Sequence, residues 1–85
     1  MTKFEVFIQP SAEKEIRNLD RPDQKKIIKA LDALSKNPRP TGCKKLIGSP
    51  AWRVRVGHLR IIYLIEDNIL KIEIVRVAHR KDVYR

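Results

Sequence analysis

The chain has 85 residues, enough for one compact domain spanning 1–85 and too few for two, and a domain this small favours a shallow groove over a deep cavity. Lysine and arginine number 19 against 10 acidic residues. Residues 1–50 carry +5 and residues 51–85 carry +4, so the excess belongs to the whole domain and suits a polyanion or an acidic partner. The lone Cys43 excludes an internal disulfide and a zinc-type cysteine cluster; the apolar run Ile61–Ile65 is far too short for a membrane span, and Lys3, Glu5 and Gln9 interrupt any leader pattern, so a cytoplasmic protein with no membrane partner is expected.

Residues 3–9 alternate and are rich in β-formers, which predicts a strand with Phe4, Val6 and Ile8 on one face. Pro10-Ser11 ends it, and the Ser11 hydroxyl is placed to cap a helix. Ala12, Ile16 and Leu19 recur at helical spacing and mark a short amphipathic helix over 11–19. Asp20-Arg21-Pro22 restarts the chain, with Asp20 as N-cap and Pro22 tolerated in a first turn. Ile27, Ile28, Leu31 and Leu34 then give a second helix to about Asn37. The short connection implies an antiparallel helical hairpin. Residues 38–50, with Pro38, Pro40, Gly42, Gly48 and Pro50, read as a loop that contains Lys44 and Lys45.

From Ala51 the pattern is β. Gly57-His58 and Asp67-Asn68 are turn candidates that divide it into an antiparallel three-stranded meander. The simplest registers set Arg55 opposite Arg60 and Glu66 opposite Ile69. One face then carries Trp52, Val54, Val56, Leu59, Ile61, Tyr63, Ile65, Leu70, Ile72 and Ile74, and must cover the core beneath the helices. Val54, Ile61 and Ile72 are expected to be buried. The other face carries Arg53, Arg55, Arg60, Ile62, Leu64, Lys71, Glu73, Val75 and Val77. Like charges directly opposite destabilise a sheet, so Arg55 facing Arg60, with Arg53 one pleat away, points to a bound anion. The competing reading is that the side chains splay into water or that Glu73, opposite Ile62 in this register, neutralises them. The polar C-terminal run Ala78–Arg85 adds His79, Arg80 and Tyr84 beside this cluster.

These residues carry a resemblance. Trp52-Arg53-Val54-Arg55-Val56-Gly57, Arg60-Ile61-Ile62-Tyr63 and Val77–Tyr84 resemble the C-terminal half of RelE-type toxins of the RelE/ParE superfamily. The opening strand, the hairpin with Ala12, Ile16 and Leu19, and Lys45-Leu46 with Gly48 fit the same pattern, so the resemblance covers essentially the whole chain. It implies an α+β fold in which an antiparallel sheet backs onto the helical hairpin. It implies a toxin that acts as a metal-free endoribonuclease, cutting messenger RNA in the ribosomal A site by attack of a 2′-hydroxyl on the adjacent phosphate. By position, Arg53 and Arg55 fall where the best-known members have lysines, Arg60 matches the arginine at the scissile phosphate, Arg80 the arginine near the leaving group, and Tyr84 the terminal tyrosine that stacks on or orients a base. Arginine effectively keeps its proton, so Arg55 is a poor general base, and His79 or Tyr84 becomes the candidate to take the 2′-proton. Lys44 and Lys45 are candidate RNA contacts. His58-Leu59 stands where many relatives have Asp-Tyr, which alters the turn.

The resemblance also implies partners: a cognate antitoxin that forms a hetero-oligomer with the toxin, plus messenger RNA and the ribosome with its 16S RNA. A basic surface suits an acidic, partly disordered wrapping peptide. No cofactor or metal is expected, since no His, Cys and carboxylate cluster stands at ligand spacing. Two alternatives remain: a ParE-like inhibitor of DNA gyrase, and a non-catalytic RNA-binding module. The second lacks the exposed sheet aromatics usual for base stacking.

Overall fold

The first strand is decided by its neighbour rather than by its own sequence. In the structure, a computed structural model that describes residues 3–79, β1 (Glu5–Ile8) lies parallel to β5 (Lys71–His79), pairing Glu5 with Lys71 and Ile8 with Ile74. A five-stranded sheet results, ordered β1-β5-β4-β3-β2, with β2 at Lys44–Lys45, β3 at Trp52–Val56 and β4 at Leu59–Glu66. Two helices, α1 (Pro10–Arg17) and α2 (Arg21–Lys36), cover one face. This is the expected α+β arrangement, extended by one strand at each edge of the meander.

Helix α1 starts two residues earlier than the Ser11 cap predicts. Pro10 takes the first helical position and Gln9 stands at the N-cap without a side-chain cap bond. Proline's missing N–H costs nothing there and its fixed φ is already helical. Asp20 does precede α2, again with no side-chain cap bond. Ile27, Leu31 and Leu34 of α2 and Ala12 of α1 meet Leu59, Ile61, Tyr63, Ile72, Ile74 and Val77 in the core. Of the three residues expected to be buried, Ile61 and Ile72 are inaccessible, while Val54 is only half-buried at the margin. Of Phe4, Val6 and Ile8, expected on one face, Phe4 and Val6 are partly buried while Ile8, at the end of the edge strand β1, is exposed.

The first turn is as predicted: Val56 pairs with Leu59 around Gly57-His58. Gly57 supplies the positive φ, +62°, that a two-residue hairpin needs at its first turn position. The second connection differs. Asp67–Ile69 forms a 3₁₀ turn, Leu70 is left-handed with φ 51°, and Glu66 pairs with Lys71 instead of Ile69. Leu70 is thereby ejected from the core face and lies exposed.

A bulge then corrects the faces. Tyr63 pairs with Ile74 but Ile62 pairs with Arg76, leaving Val75 as the extra residue of β5. An extra residue inverts the alternation beyond it. Val77, expected on the open face, enters the core at 1% exposure, and Ala78 takes its place opposite Arg60. The bulge falls where β1 ends. There Glu15 of α1 accepts hydrogen bonds from the Val77 N–H at 2.9 Å and from Arg76 Nη2 at 3.1 Å, closing an edge that would otherwise be open.

Residues 38–50 are more ordered than a loop. Lys44 pairs with Arg53 and Lys45 with Trp52, a strand too short to leave any periodic signal between its prolines and glycines. The Tyr63 hydroxyl donates to the Pro38 carbonyl at 2.7 Å, and burial pushes this phenol well above its ordinary ionisation range. No helix among the described residues is long and apolar enough to cross a membrane.

Candidate nucleic-acid interface

The β3–β4 hairpin places Arg55 directly opposite Arg60, and Arg53 opposite Ile62. All four share the sheet face turned away from the helices, because Val54, Ile61 and Leu59 point into the core. The expected arginine face therefore exists, but its members lie at different depths. Arg55 is exposed and Arg53 half-buried. Arg60 is fully buried, at 0% exposure, so the competing reading in which the side chains splay into water fails for this residue. Its long stem and guanidinium belong to the packed interior of this end of the sheet.

The acidic residues on hand are committed elsewhere. Glu73 stands opposite Leu64, not Ile62, and accepts a hydrogen bond from the Gln9 side chain at 2.6 Å. Glu15 holds Arg76, and Asp67 binds Arg39 through both nitrogens at 2.9 and 3.1 Å. Among the described residues no ion pair engages Lys44, Arg53 or Arg55. Neutralisation of the cluster by Glu73 is thus removed as an explanation for the facing arginines.

The β2 pairing decides between the two lysines. Lys44, opposite Arg53, joins the arginine face; Lys45, opposite Trp52, belongs to the other. Lys44, Arg53 and Arg55 together with Thr41 and Gly42 line a cleft of about 250 Å³. The loop that supplies Thr41 and Gly42 is pinned by Arg39, whose guanidinium carbon sits 5.2 Å from the Trp52 ring centre while its fork grips Asp67. That hydrogen-bonded pairing raises the Arg39 pKa and lowers that of Asp67.

His79, a candidate proton acceptor, is moved off this face. The bulge pairs it with Leu59, and its ring stacks on His58 with centroids 5.0 Å apart. His58 Nε2 lies 3.1 Å from Asp23 Oδ2, and Asn18, Asp20 and Asp23 line the same cavity beside the α1–α2 turn. Sequence reasoning missed this cluster, since no spacing relates residues 23, 58 and 79. Among the described residues no group of three or more His, Cys, Asp or Glu is arranged to hold a metal ion. Arg80 and Tyr84 lie outside the described residues.

A small basic α+β domain with a cationic sheet face opposite its helices defines the class, and comparison with known proteins gives the family. The family model for the ParE toxin of the type II toxin-antitoxin system parDE matches residues 6–84. A Methanocaldococcus jannaschii protein assigned as toxin RelE1 is 30% identical over 98% of this chain and 97% of its own length. The toxin-antitoxin complex RelBE2 from Mycobacterium tuberculosis contains a chain that superposes with a TM-score of 0.82 at 25% identity, covering 92% of this chain and 99% of its own. The archaeal RelE–RelB complex from Pyrococcus horikoshii gives 0.82 at 26% identity, with 94% and 97% covered. The chain belongs to the RelE/ParE superfamily of type II toxins and is of the RelE type.

Proposed function

We propose that this toxin is a metal-free messenger-RNA endonuclease that acts in the cytoplasm at the ribosomal A site. A 2′-hydroxyl attacks the adjacent phosphate and a 5′-hydroxyl leaves. The observation that carries the reading is the Arg55–Arg60 pair, with Arg53 and Lys44 beside it on one sheet face. A phosphorane-like transition state gathers negative charge, and fixed cations stabilise it most where water is excluded. Arg55 and Arg53 meet the phosphodiester from solvent. Arg60 reaches the scissile phosphate only once RNA binding uncovers it. Arg80 serves the leaving oxygen and Tyr84 orients a base. With His79 turned to the helix side, catalysis rests chiefly on electrostatic stabilisation by arginines, with Tyr84 as the remaining candidate to accept the 2′-proton.

A cognate antitoxin is the second partner, in a hetero-oligomer. The Mycobacterium and Pyrococcus relatives were each seen in toxin-antitoxin complexes, and a +9 chain favours an acidic wrapping peptide. Primer extension on messenger RNA after induced expression tests the enzyme: cuts phased to the A-site codon are expected. Poisoning of DNA gyrase is the second reading, favoured by the parDE family match. Inhibition of supercoiling by the purified toxin, with no phased cuts, would establish it instead.

A further inference from the structure

The arginine face does not stop at the β3–β4 hairpin. Strand β2 ends at Lys44, so β3 has no described strand neighbour on its outer side beyond Arg53. The alternation of an antiparallel ladder whose two-residue turn closes on Val56 and Leu59 sends the Arg55 backbone N–H towards that outer side. Along this edge runs the Thr41–Gly42 loop, pinned through Arg39, Trp52 and Asp67. Lys44, Arg53, Arg55 and Thr41 line one cleft, and among the described residues no ion pair engages Lys44 or Arg53.

From this geometry we infer that Lys44, Arg53 and the Thr41–Gly42 loop form a second phosphate subsite, which holds the backbone phosphate next to the reactive one in a single-stranded RNA. The inference rests on the reading of this sheet face as the RNA-binding face. Arg53 and Arg55 are separated by two residues of strand, about 6.8 Å, comparable with the step between successive phosphates of an extended strand. Lys44 then sits one strand further out, beyond Arg53, so the RNA backbone crosses the sheet from β4 towards β2. Such contacts fix register and carry no base preference.

The test uses the full chain and a short RNA carrying a 2′-O-methyl group at the reactive nucleotide, with binding followed by fluorescence anisotropy over a range of salt. Lys44→Ala should make the slope of log affinity against log salt shallower by about 0.7, the share of one single-strand phosphate. Lys25→Ala, which removes an exposed charge from α2, should leave the slope unchanged. In wild type, a single neutral methylphosphonate beside the reactive phosphate should weaken binding, and Lys44→Ala should abolish that penalty. The subsite is overturned if Lys25→Ala and Lys44→Ala behave alike, if the penalty pattern survives Lys44→Ala, or if the wild type shows no measurable binding. A Lys44-dependent penalty without A-site cuts in cells would sink the nuclease reading and leave the subsite standing. Normal cuts with no Lys44-dependent penalty would do the opposite.

Discussion

At the scale of single residues, burial changes what a substitution means. An arginine in a solvated, repulsive cluster would be removed at no loss of stability. Arg60 is instead fully enclosed, so Arg60→Ala leaves a void and should destabilise by roughly 2–4 kcal/mol, as large-to-small changes at buried sites do. Cleavage should also fall about 10²-fold or more, the scale for one transition-state donor. Arg60→Met keeps much of the stem volume; it should melt closer to wild type yet be equally inactive. Urea melts and ribosome-dependent cleavage of both variants check this, and normal cutting by Arg60→Met would remove Arg60 from the site. Tyr63→Phe loses the bond to the Pro38 carbonyl and should cost about 1–2 kcal/mol. The tyrosine's raised pKa means that its contribution is complete below the phenol's ordinary range and is lost as pH rises through the folded value. The stability gap between wild type and Tyr63→Phe should therefore narrow in strongly alkaline solution. Asp67 behaves oppositely. Its pKa is lowered by hydrogen bonding to Arg39, so its contribution is present above 3.8, its ordinary value, and is lost as pH falls below it. Asp67→Asn should flatten the acid limb of a stability–pH profile, and an unchanged limb would show that the clasp contributes little.

At the scale of elements, the hairpin and the bulge carry the geometry. Gly57 has φ +62°, and a side chain there would meet only Lys26 Nζ, at an ordinary contact distance of 3.9 Å. Gly57→Ala should therefore be limited by backbone strain alone, about 1–2 kcal/mol, and should perturb the Arg55–Arg60 pairing that the turn fixes. Deleting Val75 would remove the extra residue, so that Arg76 follows Ile74 directly and Val77 keeps its core place opposite Ile61 in a regular ladder. The deletion variant should therefore fold with native core protection in hydrogen exchange, and loss of protection at Ile61 and Val77 would contradict this register. Glu15→Gln keeps the shape of the side chain that clamps this region. It should retain the bond from the Val77 N–H and weaken only the pairing with Arg76.

For the molecule as a whole, the +9 charge predicts association that weakens steeply with salt, for RNA and for an acidic antitoxin alike. Cleavage should survive EDTA when the ribosomes are kept assembled by another route, because the site proposed here uses arginines. Activity lost to chelation and restored by zinc alone would contradict this. An acidic wrapping partner that covers the Arg53–Arg55 face should protect its amides from exchange and abolish cutting together.

Much of this was legible in the amino-acid sequence. The periodicity of Ala12, Ile27, Leu31 and Leu34 gave both helices, because helical spacing is written in consecutive residues. Gly57-His58 fixed the first hairpin, and with it the Arg55–Arg60 pair and the face on which a phosphate would be held. What depends on neighbours distant in sequence was not legible. The parallel seat of β1 beside β5, the two-residue β2, the left-handed Leu70 and the bulge at Val75 are settled by packing across the sheet, and local pattern has no term for them. That one extra residue in β5 carried Val77 into the core and His79 to His58 and Asp23. Burial of Arg60 is likewise a tertiary outcome: sequence placed the charge on the open face, and only the packed fold decided how deep it lies.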